Sequence, residues 1–178
     1  RPQGKRLPNM LPRIGLQITI PGTMDKVTWY GRGSGESYPD SKQANAFGVY
    51  DAGVDELYTP YTYPQENGNR ADVKWVSLTD TSGVGLLAVG MPQLDFSAHR
   101  FTTEDLEKGK HTCDLVPREE ITLNLDYKHN GLGTASCGPG QLPQYQLRPE
   151  EFTFAIRLTP FTRNGISPAN LAKKVIKE

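Results

Sequence analysis

The chain has 178 residues, a formal net charge of zero and 36% hydrophobic residues. That length fits one domain and is enough to bury a core. Neutral charge excludes bulk attraction to nucleic acid or to an acidic membrane, and no apolar run approaches the roughly 18 residues that span a bilayer. The 18 glycines and 14 prolines are too many for a helical bundle and suit short strands joined by turns. The first residue is Arg1, not Met, which predicts a processed or excised piece whose targeting segment would be lost.

"RPQGKRLPN" is basic and Pro-rich and has no period, so residues 1–10 read as a linker or tail. "RIGLQITI" alternates Ile14, Leu16, Ile18 and Ile20, the period of a half-buried strand. "KVTWYG" (26–31) is a second strand. Residues 32–70 read as mostly turn and loop, with Pro39, Pro60, Pro64 and many tyrosines; an irregular stretch of this length is usually functional. "DVKWVSLTD" and "VGLLAVG" flank "TSG", a hairpin signal. "LDFSAHRF" alternates Leu94, Phe96 and Ala98. "TTEDLEKG" has a Thr cap, early acids and a closing Gly, which predicts a short helix.

"ITLNLDY" and "EFTFAIRL" alternate again, the second through Phe152, Phe154, Ile156 and Leu158. In the tail, Ser167 caps and Pro168 opens a terminal helix, assigned to residues 163–178. The whole reads as an antiparallel β-sandwich over residues 11–162, with long loops at its ends.

The Gly-rich stretch "NGLGTASCGPGQLPQY" (130–145) raises the main chemical question. It lacks the third glycine and the helix of a dinucleotide fingerprint, and the lysine of a phosphate loop. "TASCG" has Thr134 where a nucleophile elbow needs Gly. Cys137 as a nucleophile would need a base, and His129 is the candidate in sequence; the plainer reading is a non-catalytic loop residue. "HTC" (111–113) offers two metal ligands without paired spacing, so surface residues near a turn are the plainer reading. Two free thiols, Cys113 and Cys137, are expected rather than a disulfide. Glu66 and Asp40 are carboxylates of the long loop region, but no spacing makes them a glycosidase pair. An internal ion pair between Glu66 and Arg70 is expected instead. Tyr38, Tyr50, Tyr58, Tyr61 and Tyr63, with Trp29 and Tyr30 before them, suit a sugar face or a protein interface.

"LPRIGLQITIP", "VTWYGRGSGESYPDS", "LYTPYTYPQENGNR" and "GLGTASCGPGQLPQYQL", in this order, resemble the C-terminal (small-chain, domain 5) region of the glycoside hydrolase family 2 β-galactosidases, from about Leu11 to about Pro160. The resemblance implies the second portion of a supersandwich, galactose-mutarotase-like domain packed on a catalytic barrel. It implies a retaining hydrolase of terminal β-D-galactosides such as lactose. Both catalytic glutamates and the magnesium would belong to the barrel, so this chain supplies no catalytic residue and no cofactor.

The partners implied are the remainder of the β-galactosidase chain or its large subunit, a galactoside substrate, and further copies of the parent in a homo-oligomer. The compartment is open between cytoplasm and periplasm of a bacterium. In the family, the Gly-rich loop presents a tryptophan to the sugar at the active-site mouth. Here the matching position is Cys137, so Cys137, Ser136 and Gly138 are the substrate-binding candidates, with Cys137 as a wall residue. A stand-alone carbohydrate-binding or protein-interaction sandwich is the alternative.

Overall fold

The computed structural model describes residues 7–134, 137–162 and 165–174. Seven strands follow in order: β1 (Arg13–Ile20), β2 (Lys26–Gly33), β3 (Ala46–Gly53), β4 (Arg70–Thr79), β5 (Val84–His99), β6 (Ile121–His129) and β7 (Ala155–Thr162). They form one sheet in the order β1-β6-β5-β4-β2-β3, with β7 added to β5, and every pairing is antiparallel. Two short helices complete it, α1 (Thr103–Lys108) and α2 (Pro168–Ala172). This is the expected all-β architecture with a short C-terminal helix, and a face-covered antiparallel sheet is the layer from which β-sandwiches are built.

The alternation of side chains sorts the sheet into two faces. Register places Leu16 beside Leu125, Leu123 between Ile18 and Ala98, and Val76 between Trp29 and Ala88. These residues build the apolar face. A 3-10 turn, Val54–Leu57, lays Val54 and Leu57 onto it. Trp29 and Phe96 meet edge to face at 5.8 Å in its centre, and Tyr50 stacks on Trp29 at 5.5 Å. On the opposite face, Gln17 donates to Asn124 (2.9 Å), which donates to Ser97 (3.0 Å). Buried Asn124 and Ser97 are satisfied there, with exposed Gln17 completing the row across three strands.

Three expectations are corrected. The stretch 32–70 contains a strand, β3, whose "AFGVYDAG" has too many small residues to show a period. It forms because β2 offers a complete edge, paired from Lys26–Gly53 to Gly33–Ala46. "VGLLAVG" and "LDFSAHRF" are one strand, β5, with a register break between the pairs Trp75–Val89 and Val73–Leu94. A Cβ on Gly90 would meet the Gln93 backbone at 2.4 Å, so the chain folds tightly on itself at that break. Its first half pairs with β7 and its second with β6. Finally, β7 starts only at Ala155; Phe152 and Phe154 pack on Tyr127 instead, at 5.0 and 5.8 Å.

The capping signals hold. Thr102 Oγ1 accepts from Asp105 N, and Asp105 returns the bond to Thr102 N, a reciprocal cap that satisfies two otherwise open amides. Ser167 Oγ accepts from Asn170 N ahead of Pro168. The "TSG" turn closes β4 on β5, with Gly83 at φ +85°.

Candidate functional site

The Gly-rich loop leaves the sheet at the end of β6 and returns at Leu147. Its two ends are tied together. Asn130 Oδ1 accepts from Leu147 N at 2.8 Å, and Gly131 N donates to Tyr145 O at 2.8 Å. The segment before β1 closes over the same place: Leu11 N donates to Leu147 O and Asn130 N to Pro12 O. This is a loop with close ends packed by its own backbone, the form functional surface loops often take.

Two glycines are required by this closure. A Cβ on Gly131 would sit 2.8 Å from the Tyr145 side chain and 3.0 Å from an Asp40 oxygen. Gly133 has φ +62°, where an L side chain is strained. Its amide donates to Asp40 Oδ2 at 2.6 Å. Beyond Gly133, Thr134 N donates to Pro139 O and Cys137 N to Thr134 O, both at 3.0 Å. The tip is thus a small turn that carries Cys137 outward.

Cys137 and Gly138 are exposed, and both Cys113 and Cys137 are free thiols, as expected. Ser136 lies outside the described residues. A cleft of about 890 Å³ opens behind the returning limb, lined by Asp72, Asp95, Tyr127, His129, Tyr145 and Phe152 among others. Cys137 and Gly138 do not line it; they stand on the outer rim of the loop.

His129 is no base for Cys137. It is buried, with Nδ1 at 2.8 Å from Asn130 O and Nε2 at 3.5 Å from a Glu66 oxygen. Tyr38 packs edge-on against its ring at 5.0 Å. Burial opposes a charge on His129, but the Glu66 carboxylate outweighs it and raises the imidazole above its ordinary value. Burial likewise opposes ionised Glu66, yet His129 and Arg13 together hold that carboxyl below its ordinary value.

The expected ion pair between Glu66 and Arg70 is not formed. The partner of Glu66 is Arg13, at 3.0 Å, which also forks onto Asp126 through Nε and a terminal nitrogen. Arg70 turns inward instead. Its guanidinium lies over the Trp29 ring at 5.5 Å and donates to the carbonyls of Gly68 (2.7 Å) and Ser34 (3.0 Å). A planar cation with several donors can be satisfied by carbonyls and an aromatic face without any carboxylate. Glu36 takes the acceptor role nearby, from Gly68 N at 2.8 Å and from the Tyr61 hydroxyl.

Asp40 accepts from Gly133 N at 2.6 Å and Glu66 from Arg13 at 3.0 Å. Most of the tyrosines named for a sugar face or an interface are engaged within the fold, while Tyr30 is exposed beside Phe47 at 4.8 Å. Tyr38 is buried, Tyr50 lies on Trp29, Tyr58 packs on His99 and Phe101, and Tyr61 bonds Glu36. Tyr63 is exposed. His111 and Cys113 are exposed, and no group of three or more His, Cys, Asp or Glu among the described residues is placed to hold a metal ion. No helix among the described residues is long and apolar enough to cross a membrane.

What sequence reasoning missed is the partner of Asp40, Gly133, 93 positions away. "YPDS" is a turn signal, but a turn signal does not say what the carboxylate will hold.

Residues 2–158 match the family described as Beta galactosidase small chain. The β-galactosidase of Kluyveromyces lactis is 34% identical over 155 residues, 87% of this chain and 15% of that protein. That of Arthrobacter sp. is 33% identical over 154 residues, with 84% and 15% covered. That of Vibrio cholerae is 38% identical over 149 residues, with 83% and 14% covered. The chain therefore spans about 15% of the length of these relatives. With a family match over residues 2–158, relatives 33–38% identical over most of the chain, and an all-β antiparallel fold, the chain belongs to the β-galactosidase small-chain family.

Proposed function

We propose that this chain is the C-terminal portion of a β-galactosidase that hydrolyses terminal non-reducing β-D-galactosides such as lactose with retention. Its part in that reaction is non-catalytic: it supplies one wall of the active-site mouth and supports assembly with the remainder of the enzyme. Two glutamates of a barrel domain outside this chain carry the double displacement, one as acid/base and one as nucleophile. The magnesium belongs to that barrel as well. Among the described residues no group of three or more His, Cys, Asp or Glu is placed to hold it.

The observation that carries the reading is the Gly-rich loop. It is closed by four backbone and side-chain hydrogen bonds at its base, yet it presents Cys137 and Gly138 to the outside. Ordering an exposed loop tip has an entropic cost, which contacts with a ligand or a partner surface would offset. Cys137, Ser136 and Gly138 form the wall, toward the sugar that leaves.

The test is hydrolysis of an aryl β-galactoside and of lactose by three samples: the intact parent, the parent without residues 1–178, and the isolated chain. Activity is expected in the intact parent alone. Full activity of the truncated parent on both substrates would sink the proposal. Saturable galactose binding by the isolated chain would move the carbohydrate-binding alternative forward.

A further inference from the structure

Asp40 sits in a turn that is itself firmly held. Tyr38 O accepts from Ser41 N (3.0 Å) and Lys42 N (2.8 Å), and Ser41 Oγ accepts from Tyr38 N (3.1 Å). Ser37, just before, is tied to the start of β4. Its amide donates to Asn69 O at 2.7 Å, and its hydroxyl accepts from Ala71 N at 2.9 Å. Tyr38 is buried against His129, the last residue of β6. The carboxylate of Asp40 therefore projects from a rigid mount onto the first limb of the Gly-rich loop.

That limb has few other supports. Past Gly131, the loop's described hydrogen bonds on the way to the tip are its own, through Thr134, Pro139 and Cys137. Two described bonds tie the loop beyond its base to the rest of the chain: Gln141 Nε2 to Met10 Sδ at 3.2 Å on the returning limb, and, on the first limb, Gly133 N to Asp40 Oδ2 at 2.6 Å. A carboxylate acceptor makes such a bond stronger than a neutral one. Gly133 has the left-handed backbone, and Gly131 leaves the space beside Asp40 that a Cβ would fill. Gly131 thus leaves room for Tyr145 and for this carboxylate, while Gly133 lets the returning backbone at Gly140 and Gln141 come close as its amide bonds Asp40.

We propose that Asp40 is the positioning residue of the Gly-rich loop. It fixes Gly133, hence the Thr134–Pro139 turn, and hence the direction in which Cys137 faces the leaving sugar. The inference rests on the reading of this loop as a wall of the active-site mouth. Asp40 touches no substrate and donates no proton in this role. Its effect is on how strongly the aglycone is held, and so on KM for lactose more than on the turnover of an activated aryl galactoside.

The experiment uses the full-length enzyme with three variants, Asp40→Ala, Asp40→Asn and Cys137→Trp. Hydrogen exchange of the Gly133 amide is followed beside KM and kcat. In Asp40→Ala, the Gly133 amide should exchange about tenfold faster, as loss of a charge-assisted bond predicts. KM for lactose should rise roughly threefold, while kcat for the aryl galactoside stays within about twofold. Asp40→Asn keeps an acceptor oxygen and should return most of both effects. Cys137→Trp should lower KM for lactose by restoring a stacking ring.

Unchanged Gly133 exchange in Asp40→Ala overturns the proposal. So does faster exchange without a change in KM when Cys137→Trp does shift KM; the loop would then shape the mouth without needing Asp40. If neither variant moves KM for lactose, the loop's place at the mouth is what fails, and the role of Asp40 falls with it.

Discussion

Asp95 shows how far one buried carboxyl can depart from its usual chemistry. It lies on β5 and takes a single described hydrogen bond, from Asp72 N at 3.0 Å. Asp72 holds that amide in place with a left-handed backbone, φ +56°, at the register break of β4. Burial pushes Asp95 up to about 7, and the neighbouring Asp72 and Asp126 carboxylates add to the shift while His129 opposes it. A carboxyl whose folded value lies above its unfolded value binds its proton more tightly when folded. Its stabilising contribution is therefore complete below about pH 4 and lost as the pH rises through about 7. His129, also raised, acts with the same sign; Glu66, lowered, acts with the opposite sign and at acid pH. Asp95→Asn keeps an oxygen for Asp72 N and removes the titration. Urea unfolding at about pH 5.5 and about pH 8 should show the parent losing stability with rising pH, by up to ~1.4 kcal/mol per unit, and the variant losing less. Parallel pH profiles for the two proteins would rule this out.

At the scale of an element, the Gly-rich loop is ordered from its base rather than its tip. Asn130 replaces a strand-to-strand bond with a side chain, since its Oδ1 accepts from Leu147 N just where the loop returns. Asn130→Ala leaves that amide without its acceptor and should cost about 1 kcal/mol. Most of the loss should appear as local opening. Limited proteolysis within residues 131–146 should speed up while the global unfolding midpoint moves little. Equal cleavage rates in parent and variant would mean that the Gly131–Tyr145 backbone bond closes the loop alone. The short helix α1 is stabilised in the contrasting way, by a cap legible in the sequence, because its bonds run between Thr102 and Asp105, three residues apart.

For the whole molecule, the organising contact is Arg13. It comes from the first strand and reaches Asp126 near the end of β6 and Glu66 in the loop before β4. Asp126 is 2% exposed, so its carboxylate depends on this one guanidinium. Removing one partner of a buried ion pair leaves the other charged and unsolvated. Arg13→Ala should destabilise the fold by roughly 3 kcal/mol in chemical denaturation. The double variant Arg13→Met with Asp126→Leu should recover part of that loss, because no buried charge remains. If Arg13→Ala unfolds like the parent, Asp126 must be neutral in the folded chain and the three-way contact is dispensable.

Strands β1, β2, β4 and β6 and both helices could be read from the sequence because their causes are local. Apolar residues alternate along each strand, and each cap lies within one turn of its helix. The four family stretches were legible too, since their residue order survives without knowledge of the fold. The tertiary structure alone decided β3, which exists because β2 leaves an edge to pair, and the continuity of β5 through its register break. It also decided the partners of the charged groups. Glu66 stands four positions from Arg70, yet it is held by Arg13, 53 positions away, and Asp40 finds Gly133 across 93. A charge pairs with whatever the packed chain places beside it, and burial raises the strength of that pairing; neither condition exists until the sheet has formed.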